Sequence, residues 1–213
     1  MADPCPSYRI RAARPDDRPA TYRVCLETGD AGRDGTSLFQ DDPEALGRFY
    51  VGPYLQFEPR LALVLEDDTG VCGYALAVLD SRPFYRRFEE EWLTELRRQF
   101  PEPSGDPTTW TPARKMHWEY HHPSIHLPKP YAHYPSHLHI DLMPRAQGHR
   151  LGVRMMDILL GELRRLGSPG VHLAMHPGNH RALHFYGKLG FTELIRTGAG
   201  DSATLYLGLR FAA

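Results

Sequence analysis

His137-Leu138-His139-Ile140-Asp141-Leu142-Met143-Pro144-Arg145-Ala146-Gln147-Gly148-His149-Arg150-Leu151-Gly152 passes from an alternating strand through a glycine-bearing turn into an amphipathic helix. Alternation puts Leu138, Ile140 and Leu142 on one face, for packing on the core. His137, His139, Asp141 and Met143 take the other face, over a crevice or its rim. A helix start made of small residues leaves several backbone N–H groups unpaired. With the helix dipole they form an anion site suited to a pyrophosphate. The later stretch Val171–Phe191, VHLAMHPGNHRALHFYGKLGF, repeats the strand-to-helix pattern and brings Tyr186 toward the same crevice.

Working outward, the chain has 213 residues, which bounds it to one domain, or one domain with a large insertion. Hydrophobic residues make up 41% and charged residues 24%, as in ordinary globular proteins. A net charge of −1 argues against nucleic-acid binding, which needs a basic surface. No apolar run is long enough to cross a bilayer, and the opening MADPCPSYRI lacks the apolar core of a secretory leader. Cys5, Cys25 and Cys72 are odd in number and far apart, which suits reduced thiols. These features together lead to the expectation of a cytoplasmic protein.

Residues 8 to 12 read as a strand, and Arg14-Pro15-Asp16-Asp17 as the cap of a helix over 17 to 28. The glycines of Gly29–Gly35 end it, and a short helix follows at about 42 to 50. Leu61–Glu66 and Val71–Asp80 read as a hairpin around Asp67-Asp68-Thr69-Gly70. Phe84, Phe88, Trp92 and Leu96 then mark an amphipathic helix. After it, eight prolines between Pro101 and Pro135 interleave with Trp110, Trp118, Tyr120, Tyr131 and Tyr134. That composition predicts a packed irregular loop, either a lid over one end of the sheet or a wall of a substrate pocket.

Gln147, Gly148 and Gly152 resemble the acetyl-CoA motif Gln/Arg-x-x-Gly-x-Gly/Ala of the GCN5-related N-acetyltransferase (GNAT) superfamily, with Arg150 at the place of its middle glycine. Tyr8–Asp17 resembles the family's opening strand and helix start. Asn179, Ala182, Tyr186 and Gly190-Phe191 resemble its last motif. A finer resemblance is to bacterial relatives of the acetyltransferase-like C-terminal domain of O-GlcNAc hydrolases. It is carried by Tyr134–Leu138 through Pro144, Arg154-Met155-Met156 and Phe185–Gly190. The resemblance implies an α/β fold with a mixed, mostly antiparallel central sheet and helices on both faces. It further implies one domain over 1–213, with an insertion at 81–135 between the third and fourth strands.

The same resemblance implies that the strands at 137–143 and 171–176 splay apart. Backbone near Leu142 and Met143 would then bind pantetheine, and Gln147, Gly148, His149, Arg150, Leu151 and Gly152 would cradle the pyrophosphate. Asn179 would cap the last helix and bond to the cofactor, and Tyr186 would protonate the departing thiolate; a helix cap and a packed aromatic explain them as simply. With acetyl-CoA as co-substrate, the expected activity is direct N-acetyltransfer to a small amine or amino-sugar-like acceptor. The alternative is a non-catalytic acetyl-CoA-binding or interaction module.

The amine must lose a proton, so a base with pKa near neutrality is required, and Asp141 and His139 lie on the right strand. Asp30, Tyr50, Tyr54 and Glu119 are candidates for the acceptor pocket. All 12 histidines fall between 117 and 184. His137-x-His139-x-Asp141 has the chemistry of a zinc site, yet no cysteine lies nearby and acetyl transfer needs no metal. We therefore expect none. His180 and His184 read as a solvated face.

Overall fold

The computed structural model describes residues 7–200 and 203–212; Cys5 and most of the opening stretch lie outside them. Cys25 and Cys72 are buried and free, and burial pushes their thiols up to about 12 and about 11.

Seven strands form one sheet in the order β1-β2-β3-β4-β5-β7-β6. They are β1 (Arg9–Ala12), β2 (Ala62–Asp67), β3 (Gly70–Val78), β4 (Ser136–Leu142), β5 (Gly170–Met175), β6 (Thr192–Thr197) and β7 (Thr204–Arg210). Only β4 and β5 run parallel. Helix α7 (Leu151–Arg165) makes the crossover between them. Its apolar stripe of Leu151, Met155, Met156, Leu159 and Leu163 is buried, on the Leu142 face of the sheet. On the other face lie α1 (Arg18–Glu27), α2 (Ala45–Tyr50) and α3 (Gly52–Phe57). This matches the mixed, mostly antiparallel sheet expected. The sequence reading stopped short of β6 and β7 and missed α3.

The insertion carries the expected amphipathic helix, whereas the proline-rich stretch after it is not loop throughout. Helix α4 (Ser81–Arg87) runs through a wider π turn at Phe88–Leu93 into α5 (Thr94–Gln99), and a further helix, α6, spans Pro112–His121. Pro112 starts α6 rather than breaking it, because the first helical position needs no N–H, and the Thr111 hydroxyl caps the turn by accepting from Arg114 N. Phe88, Leu93, Leu96 and Tyr120 close a small core of their own. The Tyr120 hydroxyl donates to the Ala45 carbonyl at 2.8 Å, and His117 Nε2 meets Asp42 at 2.8 Å, so the insertion is fastened to α2. Among the described residues no helix is long and apolar enough to cross a membrane.

Candidate active site

The sheet opens between β4 and β5. Only Ser136↔Val171 and His137↔His172 pair, and the strands then part. The Met143 amide bonds the Cys72 carbonyl on β3. By alternation His139, Asp141 and Met143 turn their peptide groups to β3, whereas Ile140 and Leu142 turn theirs toward the split. The Met143 amide is taken by β3 and its side chain is buried in the core, so its backbone stands away from the split that Ile140 and Leu142 face.

Below the split, Gln147–Arg150 leads into α7. Gly148 has φ +82° and Arg150, the residue before the helix, φ +59°. Two left-handed residues curl the chain, and the strain at a non-glycine is about 1 kcal/mol. Among the described residues the amides of Gly148 through Val153 donate to no protein group; the first helical bond runs from Arg154 N to Arg150 O. Gln147 steadies the turn by donating from Nε2 to the Leu142 carbonyl at 2.6 Å, and Arg181 donates to its Oε1. Gly152 is needed for close approach. A Cβ there would sit 3.3 Å from Leu142 Cδ1 and 3.4 Å from Phe185 Cζ.

Arg145 ties the turn to the β2–β3 hairpin through Asp67 at 2.6 Å. Burial opposes ionisation of Asp67, but the guanidinium and the Thr69 bonds win and hold the carboxyl at about 2. A depressed carboxyl stabilises the fold above its unfolded value, and that contribution is lost as pH falls toward 2. Since Arg145 is partly solvated, Asp67→Asn is expected to cost about 1–2 kcal/mol at neutral pH. Urea denaturation at pH 7 measures the loss; an unchanged midpoint would remove this tie from the account.

A cavity of about 260 Å³ joins the split to the turn. It brings together Asp141, Leu142, Gln147, Gly148, Arg150, Leu151, Gly152, Asn179 and Tyr186 of the sequence-derived set. Asn179 caps α8 (His180–Lys188), accepting from Ala182 N at 3.0 Å. Tyr186 is 6% exposed, more buried than Phe185. Its hydroxyl has no hydrogen-bond partner among the described residues, and burial, then the charge of Asp141, pushes its pKa up. Burial likewise pushes the Asp141 carboxyl up to about 6, against the Tyr74 hydroxyl, which donates to Oδ2 at 2.6 Å.

Other expected residues lie elsewhere. The His149 side chain does not line the cavity, and its exposed ring rests near Tyr8 at 5.2 Å between centroids, while its amide belongs to the unpaired row before α7. Asp30 is held by Arg33 at 2.8 Å. Tyr54 is a core residue, 3% exposed, with its hydroxyl bonded to His137 Nε2 at 2.8 Å. Ser81 takes the other nitrogen of His137 at 2.7 Å, so that imidazole is structural and has no lone pair for a metal. Tyr50, Glu119 and His139 stand outside the cavity, near one another. Burial, reinforced by His172, lowers His139 to about 4. Sequence reasoning missed Thr28 and Gly32, which wall the cavity, and Arg181 and Tyr74. Arg181, two residues past the Asn179 cap, had a positional signal; Tyr74 depends on β3–β4 register, which no local pattern reveals.

A sheet split between its fourth and fifth strands, above the unpaired start of the crossover helix, defines the architecture of the GNAT acetyltransferases. The model of the acetyltransferase (GNAT) family matches residues 33–191, and the chain belongs to that family. It is 32% identical to Protein O-GlcNAcase of Rattus norvegicus over 203 residues, 94% of this chain and 22% of that protein. The chain thus spans about a fifth of this relative's length. The crystal structure of SsHAT superposes with a TM-score of 0.84 at 36% identity, over 98% of this chain and 100% of that one. A phosphinothricin acetyltransferase from Sinorhizobium meliloti, in complex with AcCoA, shares the fold at TM-score 0.56 and 15% identity, over 95% and 88% of the two chains.

Proposed function

We propose that this chain is an acetyl-CoA-dependent N-acetyltransferase acting on a small amine. The observation that carries the reading is the row of free amides from Gly148 to Val153, opening where Asp141 and Tyr186 also converge. The groups present suit the co-substrate. Unpaired N–H groups and the Arg181 side chain fit a pyrophosphate, and the edge that Ile140 and the Leu142 amide turn to the split fits an extended amide-bearing arm. Acetyl-CoA supplies a thioester as the acyl donor. Asp141, ionised above about pH 6 and held by the Tyr74 hydroxyl at Oδ2, accepts the proton of the amine. His139, held neutral down to about pH 4, is the weaker base and serves to orient. Tyr186 stays protonated through the physiological range and delivers its proton to sulfur.

Tyr186→Phe keeps the packing and removes that proton. It is expected to lower kcat by roughly 10²-fold or more, with acetyl-CoA affinity within about twofold of the parent. Unchanged turnover would remove Tyr186 from the mechanism. Arg150 in the left-handed position favours a second reading, a binding module that holds acetyl-CoA without turnover. Cofactor binding by calorimetry without acetylation of any amine in a broad panel would decide for it.

A further inference from the structure

Beside the cavity, four polar side chains from different elements come near one another with unused hydrogen-bonding capacity. His139 extends from β4, two residues and thus ~7 Å before Asp141 on the same face. Its ring lies 6.2 Å from that of Tyr50 on α2. Glu119 of α6 and Tyr206 of β7 both lie within electrostatic range of the Tyr50 hydroxyl. Among the described residues His139, Tyr50 and Tyr206 make no side-chain hydrogen bond, and Glu119 accepts only a long one, from Ser124 N at 3.3 Å. No fully enclosed polar side-chain atom in the described residues lacks a partner. The nitrogens of His139 and the hydroxyl of Tyr206 therefore open onto reachable space rather than being sealed in the core. His126 walls this space from the insertion, its ring 4.8 Å from that of Tyr206.

We propose that the space bounded by Tyr50, Glu119, His139 and Tyr206 is the acceptor chamber, and that it selects a small protonated primary amine whose body carries no anionic group. The inference rests on the acetyltransfer reading and adds the acceptor's chemical class. Glu119 is the one carboxylate of the four, and the burial that raises its pKa makes a cationic partner favourable. Tyrosine faces favour an ammonium, and their hydroxyls reward a hydroxylated or ring-bearing body. None of the four is a cation, since His139 stays neutral. An amine that also bears a carboxylate would meet Glu119 with no cation among the four to oppose it and be disfavoured.

Tyramine and tyrosine differ only by that carboxylate and serve as probes, titrated into the whole protein and followed by saturation-transfer NMR. Tyramine is expected to bind at least about tenfold more tightly than tyrosine. Glu119→Gln should remove the preference and Glu119→Asp retain it. Tyr206→Leu should weaken tyramine several-fold while leaving acetyl-CoA affinity at the parent value, which also reports that the variant is folded. Equal binding of the two probes, no tyramine binding, or a preference that survives Glu119→Gln would each overturn the chamber. Preference for tyramine in a protein that binds no acetyl-CoA would instead uphold the amine site and overturn the acetyltransfer reading, so the two fail separately.

Discussion

Gly152→Glu is expected to weaken acetyl-CoA binding at least a hundredfold while the protein remains folded. The new Cβ falls 3.3 to 3.5 Å from Leu142 and Phe185 side-chain carbons, a fit that the flexible leucine relieves by moving a few tenths of an ångström. The carboxylate is the greater obstacle. It sits in the first turn of α7, where the helix dipole favours an anion, and so satisfies the free amides of Gly148–Val153 itself. A pyrophosphate then finds its donors taken and a like charge in its place. Losing two or three charge-assisted bonds is worth a hundredfold or more. Calorimetry with acetyl-CoA measures it, with Gly152→Ala as a milder control expected to lose about tenfold. Retained parent affinity in the glutamate variant would mean that the cofactor does not use this turn.

Asp141→Asn carries the second large effect, a fall in kcat of about 10³-fold with acetyl-CoA affinity nearly intact. The amide keeps the bond to the Tyr74 hydroxyl but cannot accept a proton. The carboxyl works only when ionised, so parent kcat/KM is expected to rise through pH 6 and level off above it. The variant should lack that acidic limb. Stability moves the other way. Because the folded pKa lies above the unfolded value, the folded state binds the proton more tightly, and stability is lost as pH rises through 6. Asparagine is therefore expected to be neutral or stabilising at pH 8, which separates lost catalysis from lost folding. A persistent limb at pH 6 in the variant would assign it to another group.

The turn with its unpaired amides was legible in the sequence because it is local: Gln147, Gly148 and Gly152 lie within one six-residue window after a strand, and Asn179 stands just before its helix. Asp141 was legible from alternation along one strand. What failed depended on tertiary context. Met143 continues the strand's alternation, but its amide faces β3, and only register shows that. Tyr54 looked available as an aromatic near the site, yet its hydroxyl is spent on a buried imidazole. Helix α6 was hidden because the proline-rich composition was read as irregular loop, whereas Pro112 stands where a helix can start. Tyr206 lies in a strand the reading never reached, and the chamber it helps to form has contributors 156 residues apart, from Tyr50 to Tyr206. No window along the chain displays such a space.

The split between β4 and β5 makes the sheet two leaves of unequal size, four strands and three, bound along a short spine. That spine is two residue pairs, with Ser136 Oγ meeting Ser168 Oγ at 2.7 Å and His172 Nδ1 the Tyr134 carbonyl at 2.8 Å. Every other bond between strands lies within one leaf or the other. The angle at which the leaves stand open is thus fixed far from the mouth, by buried polar residues that do not line the cavity. A slight change at the spine is magnified at the open end, so aperture and chemistry are set by separate residues and can diverge independently in related chains.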